Sequence, residues 1–183
     1  MIRKAHQAGS GRWKAPGWRH FLLWCTLLIT PAVQAQDAYE IKAAFIFNFT
    51  KFISWPADME QAGGDLHLCL FSSNPFGDYV YQLNGRKVRN FYLRVSQPAK
   101  VAELAGCHIL FLADAQDAGR VVEQLAAQPV LTISDHDGFV QAGGGINLFP
   151  DNDRIRFDVN LQRLKGCGLD VSSKLLSLAR QVY

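Results

Sequence analysis

The run Cys107-His108-Ile109-Leu110-Phe111-Leu112-Ala113 constrains the fold most. It is almost continuously apolar, the pattern of a strand covered on both faces. Pro129-Val130-Leu131-Thr132-Ile133-Ser134 repeats the pattern after a helical stretch from Asp117 to Ala127. An earlier strand, Leu66 to Phe71, enters a Ser-Ser-Asn-Pro turn of the kind that starts a helix, here about Pro75 to Leu83. Asn84-Gly85 is a turn, Lys87 to Val95 reads as a strand with partial alternation, and Ala99 to Leu104 as a short helix. Strands alternating with helices predict one α/β domain, a mainly parallel or mixed β-sheet flanked by helices.

The pattern changes towards the C-terminus. Gly-Gly-Gly-Ile-Asn-Leu-Phe and Asp-Arg-Ile-Arg-Phe-Asp-Val-Asn-Leu flank Pro150-Asp151-Asn152-Asp153, which predicts a C-terminal β-hairpin. In its second strand Ile155, Phe157 and Val159 face one way, and Arg154, Arg156, Asp158 and Asn160 the other. That strand is expected to be buried on one face only. Asn160 opens a short helix to Lys165. Ser172 to Val182 reads as an amphipathic helix with Ser172 as N-cap and Leu175, Leu178, Ala179 and Val182 inward.

Two apolar segments precede the sheet. Arg3, Lys4, Arg12, Lys14 and Arg19 form a basic region before the short apolar run Phe21 to Ile29. Pro31 and Val33-Gln34-Ala35 follow, the layout of an export signal cleaved after Ala35. Nine residues are too few for a bilayer, which takes about 20. The expected organisation is a signal peptide over 1–35 and a domain over 36–183. Tyr39 to Pro56 is the second segment, with four phenylalanines and three isoleucines. It predicts a core helix from Tyr39 to Trp55, with Ile41, Ala44, Phe45, Phe49, Phe52, Ile53 and Trp55 inward and Lys42, Thr50 and Lys51 outside that arc. Pro56 stops it. Asn48 falls inside the arc; an unpaired buried amide costs about 1–3 kcal/mol, so Asn48 is expected to make a structural hydrogen bond, a ligand or partner contact being the alternative.

Cleavage changes the charge. Beyond Ala35 stand 14 Lys and Arg and 16 Asp and Glu, a net of −2. Nothing basic remains to attract nucleic acid. Cys69, Cys107 and Cys167 remain, an odd number. A Cys69–Cys107 disulfide is the leading candidate, because both are expected on early parts of sheet strands, the bridge requiring Cα atoms nearer than about 7 Å; free buried thiols, or zinc held with His67 and His108, are the alternatives. Alternation puts Cys107 and His108 on opposite faces, so at most three of the four converge, and no metal is expected.

Catalytic patterns are nearly absent. Asp135-His136-Asp137 are consecutive and cannot easily point at one ion; a solvated loop or helix cap is the simpler reading. Gly143-Gly144-Gly145 lacks phosphate-loop spacing and precedes a strand, so a tight turn explains it better. The chain reads as a non-enzyme, without cofactor.

Tyr39 to Pro56, Gly77 to Val88, Val130 to Phe149 and Arg154 to Ala179 together resemble the YfiR family of periplasmic proteins. The resemblance covers about Ala38 to Val182. It implies a periplasmic α/β repressor, usually dimeric, that binds the sensor domain of an inner-membrane diguanylate cyclase and lowers cyclic di-GMP. It further implies that an outer-membrane lipoprotein with a peptidoglycan-binding domain sequesters the repressor. Arg156, Asp158, Asn160, Leu164 and Lys174, on and after the half-exposed hairpin strand, are the expected partner contacts. The best-known members carry two cysteines around the Gly-rich hairpin; this sequence has none there. A small-molecule-binding sensory module acting on another membrane sensor is the alternative function, its ligand near strand C-termini.

Overall fold

A computed structural model describes residues 32–152 and 154–183. The expected leader, 1–35, lies almost wholly outside them. Helix α1 (Ala32–Phe49) begins at Ala32, so the expected cleavage point falls in its first turns.

Strands β2 (Gly64–Phe71), β4 (Phe91–Ser96), β5 (Ile109–Leu112), β6 (Leu131–Ser134) and β7 (Ile146–Asp151) run parallel. β3 (Lys87–Val88) pairs antiparallel with β4 at one edge. At the other, β8 (Arg154–Val159) pairs antiparallel with β7, and β10 (Gln181–Val182) parallel with β8. The order is β10-β8-β7-β6-β5-β2-β4-β3. The chain leaves β2 to one side for β4 and returns to its other side for β5, a doubly wound order whose switch point lies between β2 and β5.

The apolar runs are central strands buried on both faces. Leu66, Leu68, Leu70, Ile109, Phe111, Leu131 and Ile133 join the larger core cluster with residues of α1. Cys69, Phe71, Leu110 and Leu112 join a second cluster with Ala118, Val121 and Val122 of α3 (Ala115–Gln124), the helix that follows the short α2 (Ala57–Ala62) in the chain. Tyr39 meets Phe76 edge-on at 5.4 Å, and Phe76 meets Phe111 at 4.6 Å, locking α1 onto the sheet.

The Gly run lets backbone approach side chains. A Cβ at Gly144 would overlap the Phe139 ring, and one at Gly145 would lie 2.8 Å from the Thr132 carbonyl oxygen. Asn160 caps α4 (Leu161–Gly166) by accepting from the Arg163 N–H.

Three expectations need correction. First, α1 ends at Phe49, not Trp55. The Thr50 hydroxyl donates to the Phe47 carbonyl, and the Lys51 and Phe52 N–H groups donate to Asn48 and Phe49 in a closing turn. Ile53–Ser54 then forms a short strand, β1, antiparallel to β9 (Asp170–Val171). Pro56 enforces extended geometry just before itself, and pairing with β9 carries that geometry back to Ile53. Second, the amphipathic C-terminal helix is one turn, α5 (Ser173–Leu176), followed by turns and β10. Ser172 caps it as expected, but Leu178 and Val182 are exposed because the chain leaves helical geometry before reaching them. Third, β8 is covered on both faces at Asp158, which is 3% exposed beneath Arg180.

A half-open groove beside the first helix

From Ile41 to Phe49 helix α1 carries apolar residues on two faces, and the sheet takes one of them. Among its described side chains the buried positions are Lys42, Ala43, Ile46, Phe47 and Phe49, with Thr50 buried just beyond its end. Lys42 is buried because its ammonium meets Asp135 at 2.6 Å, with both side chains about one-tenth exposed, and lies 4.1 Å over the Tyr39 ring. Burial, the Asp135 charge and an Asp135 hydrogen bond push the Tyr39 hydroxyl up to about 12. Asp135 is therefore the partner of a buried lysine, not part of a solvated loop. His136 is tied to the Ala113 carbonyl, and Asp137 is exposed.

Among the described residues, the other face of α1 is only partly covered. Ile41, Ala44, Phe45 and Asn48 on it, with Phe49 and Phe52, form one side of a groove of about 450 Å³. Phe157 of β8, Leu175 and Leu178 complete it. Phe157 lies 5.0 Å from Phe49 and 6.0 Å from Phe45, ring centre to ring centre, so three packed aromatics lie along it. Ile41 is 47% exposed and Leu178 55%, which leaves both walls open to an incoming group.

This geometry overturns the expected burial of Asn48, while a hydrogen bond to its side chain is present. Its side chain is exposed, and its Oδ1 accepts from the Lys51 ammonium at 2.8 Å. The apolar arc inferred from sequence exists, but much of it faces the groove rather than the interior. Lys174 sits 5.6 Å from the Phe52 ring, and Lys51 bonds Asn48 while lying 4.5 Å over the Phe47 ring, so each ammonium stands next to a lining residue without itself lining the groove. Glu40 is exposed on α1 beside Ile41.

The expected partner contacts separate. Leu164 is fully buried and cannot reach a partner. Asp158 is buried and bound by Arg180, whose guanidinium is held above its ordinary value by that hydrogen bond. Asn160 caps α4 and donates to the Val140 carbonyl. Arg156 and Lys174 are exposed. Arg156 leaves the face of β8 opposite Phe157, so of these residues Lys174 alone borders the groove. The groove is also distant in kind from the strand C-termini where a ligand was expected: it is built from α1, β8 and α5. Periodicity marked its apolar residues as buried because a free face and a core face carry the same side chains.

Cys69 and Cys107 form a disulfide with Cα atoms 5.9 Å apart. Both sulfurs are thereby withdrawn from any zinc set. His67 and His108 nevertheless lie close, ring centres 5.6 Å apart, with the His67 N–H donating to His108 Nδ1. Cys107 and His108 reach the same side of the sheet because Cys107 precedes β5, where alternation does not apply. Burial, then the charge of His67, lowers the pKa of His108. Cys167 is a free buried thiol, and burial raises its pKa. Among the described residues no group of three or more His, Cys, Asp or Glu is placed to hold a metal, and no helix is long and apolar enough to cross a membrane.

The fold is a doubly wound α/β domain, and one of its surface features is an apolar groove between α1, β8 and the segment after α5. A family model described as YfiR/HmsC-like matches residues 39–180, and the chain belongs to that family. Membership points to a regulator of diguanylate cyclase signalling that acts from the periplasm, rather than to an enzyme. Among solved structures, the ABC domain in complex with L-Trp from Streptococcus pneumonia is similar at a TM-score of 0.47 and 11% identity. That match covers 75% of this chain and 59% of the other, so the chain spans less than two thirds of that structure's length.

Proposed function

We propose that the chain is a periplasmic negative regulator that binds the sensor domain of an inner-membrane diguanylate cyclase and holds it inactive. An outer-membrane lipoprotein with a peptidoglycan-binding domain releases the cyclase by competing for the regulator. Repression needs only higher affinity for the inactive cyclase state, and competition then acts by mass action. The observation that carries the reading is the groove between α1 and α5. Its occupant is a segment of the cyclase sensor domain with an apolar, preferably aromatic, anchor flanked by carboxylates. The anchor meets Phe45, Phe52 and Phe157, and the carboxylates meet Lys51 and Lys174. Buried anchors of this kind carry most of the energy of an interface. Arg156 is a further exposed contact outside the groove. The homodimer implied by the resemblance is part of the proposal, and sedimentation of the mature chain reads it directly.

Ile41→Glu and Leu178→Glu test the reading, because both side chains are already half exposed and their replacement leaves the core intact. In a strain carrying the cyclase, either variant should raise cyclic di-GMP to the level of a deletion, at unchanged protein abundance. Wild-type repression by both variants would remove the groove from the interface. A small-molecule occupant is another outcome of the same work. It would appear as a ligand that raises the melting temperature of the wild type but not of Leu178→Glu, with repression by the variant retained.

A further inference from the structure

The two walls of the groove differ in how they are held. α1 is clamped to the sheet by its buried face and by Lys42–Asp135. The opposite wall ends in Leu178, which belongs to no helix or strand. Before it, Leu175 is 2% exposed and anchored in the core. After it, the chain reaches β10, whose two residues are both exposed. Between Leu178 and β10 stands Arg180. Its N–H donates to the Phe157 carbonyl at 2.9 Å, and its Nε donates to Asp158 Oδ1 at 3.0 Å. Its Nη2 donates to Asp158 Oδ2, and its guanidinium lies 3.9 Å over the Phe149 ring. Asp158 is the residue after Phe157, which lines the groove, and its carboxylate is 4% exposed. The two-pronged, partly desolvated pair has the geometry that makes an arginine–carboxylate contact rigid.

We propose that Arg180 and Asp158 are positioning residues for the groove: their ion pair latches the segment after α5 to β8 and thereby fixes Leu178 as the second wall. Neither residue need touch the partner. The ion pair joins the backbone bonds of Arg180 and β10 to β8 in holding Phe157 and Leu178 in register, because Asp158 neighbours the first in sequence and Arg180 follows the second by two positions. Loss of the latch leaves Leu175 anchored and lets the chain beyond it open, so the groove loses a wall while the sheet core stays closed. This inference rests on the reading of the groove as the docking site.

The test uses Asp158→Asn, which is isosteric, and Arg180→Lys, which keeps the charge but loses the fork. Amide exchange followed by NMR reads the latch without any partner. In Asp158→Asn the amides of Arg180 and Tyr183, bonded to Phe157 and Val159, should exchange about tenfold faster or more, while amides of β2 and β5 keep their protection. Affinity for the purified cyclase sensor domain should fall about tenfold in the same variant, and Arg180→Lys should be intermediate in both measurements. Unchanged exchange at Arg180 and Tyr183, or faster exchange with undiminished affinity, would overturn the proposal. If instead β2 and β5 also lose protection, the pair supports the whole fold and the positioning role is refuted. The groove reading fails separately: Leu178→Glu would then bind the sensor domain as tightly as the wild type, whatever the latch variants do.

Discussion

Removing the Cys69–Cys107 bridge should cost this domain a large part of its stability, and the cost divides into two measurable parts. The bridge joins β2 to the start of β5 across a separation of 38 residues. Closing a loop of that length removes about 13 cal/mol/K from the unfolded chain, or about 4 kcal/mol near room temperature. Both sulfurs also pack in the cluster with Phe71, Leu104 and Leu110. Truncating each to alanine leaves a small void, at about 1 kcal/mol apiece. Cys69→Ala/Cys107→Ala should therefore lose about 4–6 kcal/mol, against a total of about 5–15 for a domain of this size. Wild-type protein kept reduced by dithiothreitol loses the loop constraint but keeps its sulfurs, so it should lose about 4 kcal/mol. Urea unfolding followed by tryptophan fluorescence measures all three forms. The slope against urea should rise in both unbridged forms, because an unfolded chain free of the bridge exposes more surface. If the reduced protein and the alanine variant each stay within about 1 kcal/mol of the oxidised form, the loop-closure argument is wrong for this fold.

Further outcomes follow from particular contacts. Gly144→Ala drives a methyl into the Phe139 ring and should cost about 1–3 kcal/mol in the same assay; a neutral result would mean that Phe139 has room to turn. Lys42→Met leaves Asp135 without its cation in a nearly closed site and should cost about 3 kcal/mol, most of it recovered in Lys42→Met/Asp135→Leu. Failure of the second change to restore stability would show that the pair holds α1 by more than charge compensation. His108 has its pKa lowered from 6.5 chiefly by burial, so the folded state binds its proton less readily than the unfolded chain. Its contribution is complete above pH 6.5 and is lost as pH falls through the lower folded value. His108→Asn should flatten that part of the stability profile, and an unchanged profile would place the slope on other groups.

The strands were legible because their requirement is simple. A stretch such as Ile109–Leu112, apolar on both faces, fits the middle of a parallel sheet and little else, and it lies at the centre of the sheet. The family was legible for a related reason, since whole segments rather than single residues carry the likeness. Element ends were less so. Ile53–Ser54 carries no local signal against helix; its strand geometry comes from Asp170–Val171, more than a hundred residues away in the chain. The C-terminal segment has helical periodicity over Ser172–Val182, but pairing of β10 with β8 and the hold of Asp158 on Arg180 outweigh a weak local preference. Long-range partners decided both cases, and a single sequence does not display them.

The phase of α1 failed for a different reason, and that failure bears on function. Periodicity locates a core face by contrast with a polar one. Ile41, Ala44 and Phe45 are as apolar as Ala43, Ile46 and Phe47, so the contrast is weak and either face could be chosen. Two features break the tie only once the fold is known. Lys42 can be inside because Asp135 waits at the end of β6, and Asn48 can be outside because Lys51 satisfies its amide oxygen. A helix that needed only to pack on the sheet would gain nothing from a second apolar face, and an exposed isoleucine and leucine raise the risk of aggregation. That second face meets Phe157 and Leu178 to make a groove, with Lys174 beside its Phe52. The ambiguity that misled the periodicity argument is thus the same excess of apolar surface that the proposed cyclase contact requires.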